Sequence, residues 1–197
     1  MGREKQFGGI FSFCLTLAIL GVMGGLNPPA WGQEVFSTQY AVVRAASAGE
    51  LLEMERRLHF PAAASASQCR TTGEFAFHPG FPRLAAKIDG ILERAACLLN
   101  LSGVRPPRIT LILLPDGKEV RRQHVGLVPG QRPGLFGYGS LEAFYQVGAR
   151  TVYLSLADLR EGILAHELTH HLLCTVLAMP PPEQTQEAYA HYVESRL

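Results

Sequence analysis

The stretch EGILAHELTHHLLC restricts what this chain can fold into more than any other. It holds two histidines four residues apart, His166 and His170, and Glu167 directly follows the first. On an α-helix each residue advances by about 100°, so both imidazoles face the same side, one turn apart, and can reach one metal ion. Glu167 lies on the flank of that face, where a carboxylate acts as a general base toward a water molecule. The pattern therefore predicts a helix that carries a metal site.

The segments around this helix predict an α+β fold. RITLILLP is an unbroken apolar run, which favours a central strand covered on both faces. ARTVYLSL alternates apolar with polar residues, which predicts a strand just before the histidine helix. Ser155 and Asp158 fit a capping box, so we expect the helix to begin there. The prolines of MPPPE end it near Leu177, and PEQTQEAYAHYVESRL predicts a closing helix.

Residues 33–80 predict an N-terminal strand and helix followed by a loop. The strand is expected near Gln39–Arg44, and Ser47 with Glu50 forms a capping box at the start of the helix. RLAAKIDGILERAACLLNLSG then predicts a long amphipathic helix that Gly103 ends. A short polar helix is expected over Gly117–His124, and VGLVPGQRPGLFGYGS reads as a loop.

Residues 1–32 have the pattern of a secretory signal peptide. Arg3 and Lys5 precede an apolar run, and the small residues Ala30 and Gly32 stand two apart before Gln33. A charged start, an apolar middle and a small-x-small end predict cleavage after Gly32 and export to the bacterial periplasm or the medium. The alternative is an uncleaved N-terminal membrane anchor, since the apolar run is long enough to span a bilayer.

Export exposes cysteines to an oxidising compartment, where disulfides persist. Cys69, Cys97 and Cys174 remain after cleavage, so at most one pair forms. Cys69 with Cys97 is the preferred pair, because Cys174 lies in the apolar histidine helix. Three buried thiols are the alternative, since cysteine often behaves as a small apolar residue.

A hydrolytic zinc site needs a third protein ligand and one open position. The downstream candidates are Glu183, Glu187, His191 and Glu194. Glu187 is preferred, because the prolines reverse the chain and the closing helix can lie against the first. Its small neighbours Ala188 and Ala190 would let the two helices approach closely.

These residues resemble the gluzincin zinc metallopeptidases. The resemblance rests on His166-Glu167-x-x-His170 followed by Glu187, and is strongest to the compact minigluzincins and the peptidase-MA-like bacterial proteins. It covers about Phe81 to Leu197, where the order of helix, strand, edge strand and active-site helix is also similar. Alanine follows Glu187 here, where many relatives have glycine.

The resemblance implies a fold, a cofactor and an activity. It implies a small mixed sheet packed on the active-site helix, with an edge strand that receives an extended substrate, over a minimal catalytic domain at 81–197. It implies one zinc ion held by His166, His170 and Glu187, with Glu167 as the base that activates water for peptide-bond hydrolysis. Peptides or proteins would be the substrates, and membrane contact would come only through an uncleaved signal segment.

Two other functions stay open at this point. The first is an inactive zinc-binding module of the same fold, since the chain stops at Leu197 without the subdomain that follows in larger gluzincins. The second is a periplasmic interaction protein in which the histidines are incidental. Nucleic-acid binding is not expected, because the net charge is only +1.

Several side chains near the motif have more than one interpretation. The donor that stabilises the oxyanion could be any of four residues: Tyr153, Tyr189, Tyr192 and His191. Gly162 shares the metal-facing stripe and makes room for a substrate or a crossing strand, or simply permits tight packing on the sheet. His171 is either a support for the site or a partly exposed residue, and Cys174 is expected in the core.

Overall fold

A computed structural model describes residues 34–60, 80–127 and 141–197. The proposed signal peptide, Cys69 and most of the Gly- and Pro-rich loop before the last strands lie outside these residues. Within the described ranges, none of the helices has the length and the apolar composition needed to cross a membrane.

The fold is α+β, with one mixed sheet of five strands. The strands are β1 (Glu34–Ser37), β2 (Ala41–Ala45), β3 (Ile109–Leu114), β4 (Ala143–Gln146) and β5 (Thr151–Ser155), in the order β1-β2-β3-β5-β4. The pairs β2–β3 and β3–β5 are parallel, whereas β1–β2 and β4–β5 are antiparallel. The apolar run of β3 is therefore central, as predicted, and the N-terminal strands extend the same sheet.

Five helices accompany the sheet: α1 (Ala48–Arg57), α2 (Pro82–Leu98), α3 (Gly117–Leu127), α4 (Glu161–Val176) and α5 (Glu183–Glu194). α4 packs against α2, α5 and β4. Neighbouring side chains of a strand project to opposite faces. The Phe144 ring of β4 meets the ring of His124, in α3, edge-on, whereas Tyr145 contacts His171 of α4. α3 and α4 therefore cover opposite faces of the sheet.

Two helix boundaries differ from the sequence prediction. α2 ends at Leu98 and not at Gly103, because Asn100 takes a left-handed φ of 57° and the Leu101 N–H closes on the Ala96 carbonyl at 2.7 Å. α4 begins at Glu161. The predicted pair of Ser155 and Asp158 does form, with the hydroxyl donating to the carboxylate at 2.5 Å, but it stabilises the turn that precedes the helix.

The sequence prediction missed β1 and β4, both of four residues. The edge strand next to α4 is β4. ARTVYLSL, the strand that the resemblance places at the edge, forms β5, which lies between β3 and β4. The Ser155 N–H donates to the Glu142 carbonyl at 2.8 Å, which fixes the hydrogen-bonded pairs of this ladder. By alternation, the backbone groups of Ala143 and Tyr145 point away from β5, toward the outer edge.

Candidate metal centre

Helix α4 places His166 and His170 on one face, as the four-residue spacing predicts. Their Nε2 atoms are 3.3 Å apart, and both side chains are largely buried between α4 and α5. Burial lowers the pKa of His166, and the neighbouring His170 lowers it further, while the Glu187 and Glu194 carboxylates act in the opposite sense. Burial therefore favours the neutral imidazole, the form that binds a metal ion.

The Glu187 carboxylate of α5 lies against the same two imidazole nitrogens. Its carboxylate oxygens lie 3.4 Å from Nε2 of His166 and 3.2 Å from Nε2 of His170. The two helices approach closely at Ala190, which is fully buried; Ala188, which was expected to help, is exposed. His166, His170 and Glu187 form a group that could hold a metal ion.

The two imidazole nitrogens are spaced like two ligands of a tetrahedral ion. Ligand atoms about 2.0–2.1 Å from a tetrahedral centre stand about 3.3–3.4 Å from one another. The two Nε2 atoms here are 3.3 Å apart, and the carboxylate faces them with both oxygens, Oε2 at 3.4 Å from His166 Nε2 and Oε1 at 3.2 Å from His170 Nε2. Two imidazole nitrogens and one carboxylate oxygen are also the donor types of a zinc site that keeps its fourth position open.

Glu167 lies beside this group and is not one of its ligands. The residue is buried, with 8% of its surface exposed. Burial raises its pKa to about 8, and the Glu187 charge adds to this effect, whereas the Tyr145 backbone N–H, which donates to the carboxylate, opposes it. A cation held by the ligands would favour the ionised form. A pKa near neutral pH is the property that suits a general acid or base.

A cavity of about 390 Å³ opens beside His166 and Glu167. Its walls come from the start of β4, the first half of α4 and the last turns of α5, through Leu141, Glu142, Ala143, Arg160, Ile163, His191 and Glu194. A ligand in this cavity would therefore touch both the candidate base and one candidate metal ligand.

Two further residues of α5 contact the imidazoles, and the sequence analysis gave neither this role. Glu194 Oε2 lies 3.2 Å from Nδ1 of His166, and Gln186 Oε1 lies 3.4 Å from Nδ1 of His170. Glu194 stands two helical turns after Glu187, on the same stripe, which is a signal the sequence did contain. Gln186 carries no such signal, because its contact depends on the bend before α5.

His171 is a structural anchor and not a partly exposed residue, so that expectation was wrong. It is fully buried, its Nε2 lies 2.9 Å from the Pro107 carbonyl, and its Nδ1 lies 3.1 Å from the Tyr145 hydroxyl. A neutral imidazole that donates to Pro107 accepts from Tyr145. The contact ties the edge strand β4 to α4, next to Glu167.

Of the four candidate oxyanion donors, His191 is the one that lines the cavity. Its ring lies 5.0 Å from that of His166. Tyr189 and Tyr192 are exposed, and Tyr153 stacks on Phe144, on the face opposite α4. Arg160 also lines the cavity, and the sequence analysis did not consider it.

Cys97 is disulfide-bonded, as the preferred pairing requires. Cys174 is a free thiol, but it is only half-buried and donates to Gln186 Oε1 at 3.3 Å, so its expected place in the core was wrong. The predicted partner of Cys97, Cys69, lies outside the described residues, so the pairing stays a prediction.

Comparison with known proteins gives no match to a family model, to a curated protein or to a solved structure. The site geometry and the sequence pattern are therefore the basis for the function proposed next.

Proposed function

We propose that this protein is an exported, zinc-dependent peptidase of the gluzincin type. One observation supports it above all: two imidazole nitrogens and one carboxylate converge at separations of 3.2 to 3.4 Å, with a buried glutamate beside them. A site that only stabilises the fold needs no base at that position, and Glu167 supplies one.

Zinc is the proposed ion. His166, His170 and Glu187 would hold it and leave one position open, which is the arrangement of hydrolytic rather than structural zinc sites. When bound, zinc would polarise a substrate carbonyl and lower the pKa of a water molecule toward neutrality.

The residues of the chain would then perform the proton transfers. Glu167 takes a proton from the attacking water and later delivers it to the leaving amine, as a general base and then a general acid. The Tyr145 N–H orients its carboxylate. His191, in the wall of the cavity, is the proposed donor to the oxyanion, and the Glu194 carboxylate lies 3.4 Å from its Nδ1.

An extended peptide is the proposed substrate. Ala143 directs its N–H and carbonyl, and Tyr145 its carbonyl, to the outer edge of β4, where a peptide can add as a further strand; the Tyr145 N–H is taken by Glu167. The cavity begins at Ala143 and reaches His166 and Glu167, so a peptide on this edge would place a side chain or a scissile bond there.

The test is to measure the zinc content of the purified mature chain and to digest a peptide library with it. We expect about one zinc per chain, and cleavage that a chelator stops and added zinc restores. Zinc without cleavage would make the protein an inactive zinc-binding module. A chain that neither contains nor takes up zinc would contradict the proposal and leave an interaction protein.

The proposal of export rests on three features of the first 32 residues: the charged start, the apolar run and the Ala30-x-Gly32 end. N-terminal sequencing of the exported protein is expected to begin at Gln33. A chain that still starts at Met1 in the membrane fraction would instead be anchored.

A further inference from the structure

We propose that Gln186 and Glu194, both on α5, are positioning residues that fix the tautomers of the two metal-facing histidines. Each accepts a hydrogen bond from the Nδ1–H of one imidazole and so leaves the Nε2 lone pair directed at the candidate metal position. The inference rests on the metal site proposed above and assigns these residues a function there.

The orientation of the Gln186 amide is fixed by its other contacts. Its Nε2 donates to the Pro181 carbonyl at 2.8 Å, which turns Oε1 toward α4. That oxygen lies 3.3 Å from the Cys174 thiol and 3.4 Å from Nδ1 of His170. An amide oxygen only accepts hydrogen bonds, so Nδ1 of His170 is the nitrogen that donates to it when Nε2 faces the metal position.

Glu194 constrains His166 in the same way. Its Oε2 lies 3.2 Å from Nδ1 of His166, and an ionised carboxylate only accepts. Arg160 approaches the other oxygen, Oε1, at 3.8 Å, which leaves Oε2 for the histidine. His191 also contacts Oε2, with its Nδ1 at 3.4 Å.

Gly162 provides the space that Glu194 occupies. A Cβ at this position would lie 3.0 Å from Cγ of Glu194 and 3.6 Å from its backbone carbonyl oxygen. Glycine within a helix costs about 1 kcal/mol relative to alanine. The structure therefore relates this glycine to the position of Glu194.

The same contacts decide between two groups that share His166. His166, His191 and Glu194 also lie close enough together to hold an ion. A neutral imidazole has one nitrogen with a free lone pair. If Nε2 of His166 faces Glu187 and His170, its Nδ1 carries a proton, and Glu194 acts as the acceptor of that proton and not as a second metal ligand.

Zinc affinity of full-length variants, measured by competition with a chromophoric chelator, tests the proposal. Gln186→Met and Glu194→Met are each expected to weaken zinc binding about 10- to 100-fold, the usual effect of losing such a partner. Gln186→Glu and Glu194→Gln keep an acceptor oxygen and are expected to restore most of the affinity. Unchanged affinity in both Met variants would overturn the inference.

Gly162→Ala is expected to weaken zinc binding as well, because the new methyl group, 3.0 Å from Glu194 Cγ, pushes that side chain away from His166. Gly126→Ala is the matched control: Gly126 is also in a helix, α3, but a Cβ there meets nothing within 4 Å. The control is expected to leave zinc affinity unchanged. Equal affinity in the two alanine variants would contradict the assigned role of Gly162.

A long-range ¹H–¹⁵N NMR spectrum of the zinc-bound protein gives a second readout, separate from affinity. His166 and His170 are expected to bind zinc through Nε2 and to carry a proton on Nδ1, and each Met variant is expected to move the Nδ1–H resonance of its own histidine only. Zinc coordination through Nδ1 in the unaltered protein would overturn the inference even if a variant failed to fold. Failure to bind any zinc would instead reject the metal site itself.

Discussion

Replacing Glu167 by glutamine is expected to abolish peptide hydrolysis and to leave zinc bound. Glutamine has the same shape and still accepts from the Tyr145 N–H, but it cannot take a proton from water. Losing a general base typically lowers kcat by about 10²- to 10⁴-fold. Because the side chain is not among the three metal-facing groups, zinc content should stay at the level of the unaltered chain.

The comparison uses the same peptide, identified from the library digest, and metal analysis of both proteins. Glu183→Gln is the control, since Glu183 is exposed in the first turn of α5. It is expected to retain full activity. A Glu167→Gln protein that still cleaves at the original rate would show that another group activates the water.

The second large effect is expected at Glu187. Glu187→Ala removes one of three protein ligands, the one that α5 contributes. Structural zinc sites bind with roughly 10–16 kcal/mol, so losing one ligand should cost on the order of 4 kcal/mol, or about a thousandfold in affinity. Hydrolysis would fall with zinc occupancy, which distinguishes this variant from Glu167→Gln.

Zinc affinity is again the measurement, with Glu183→Ala as the control one turn earlier on the same helix. The control is expected to bind zinc normally. If Glu183→Ala lost the metal while Glu187→Ala kept it, the ligand assignment and the packing of α5 on α4 would both be wrong.

The candidate site could be predicted where its geometry is local. His166 and His170 share a face because helix periodicity alone puts them there, and Glu167 follows from the same rule. Glu187 could be predicted as the third ligand because a proline bend between two helices leaves few ways for the chain to return. The central strand was predictable from the unbroken apolar run of β3.

What the sequence analysis missed depends on contacts between distant segments. β4 has only four residues, and its strand character comes from pairing with β5, since β propensity reflects context more than the residue itself. The burial of His171 depends on Tyr145 and on the Pro107 carbonyl, both far away in sequence. The contact of Gln186 depends on the angle at which α5 leaves the proline turn.

Helix α5 supplies Glu187, Gln186 and Glu194, yet it buries only Ala190 and Val193 fully. An ion held by ligands from both helices would therefore also hold α5 against α4. An ion that binds only the closed form stabilises that form by RT ln(1 + [M]/Kd), so free metal concentration and closure of α5 are linked variables. If the proposed ion binds, chelation would therefore loosen the last helix before the rest of the fold.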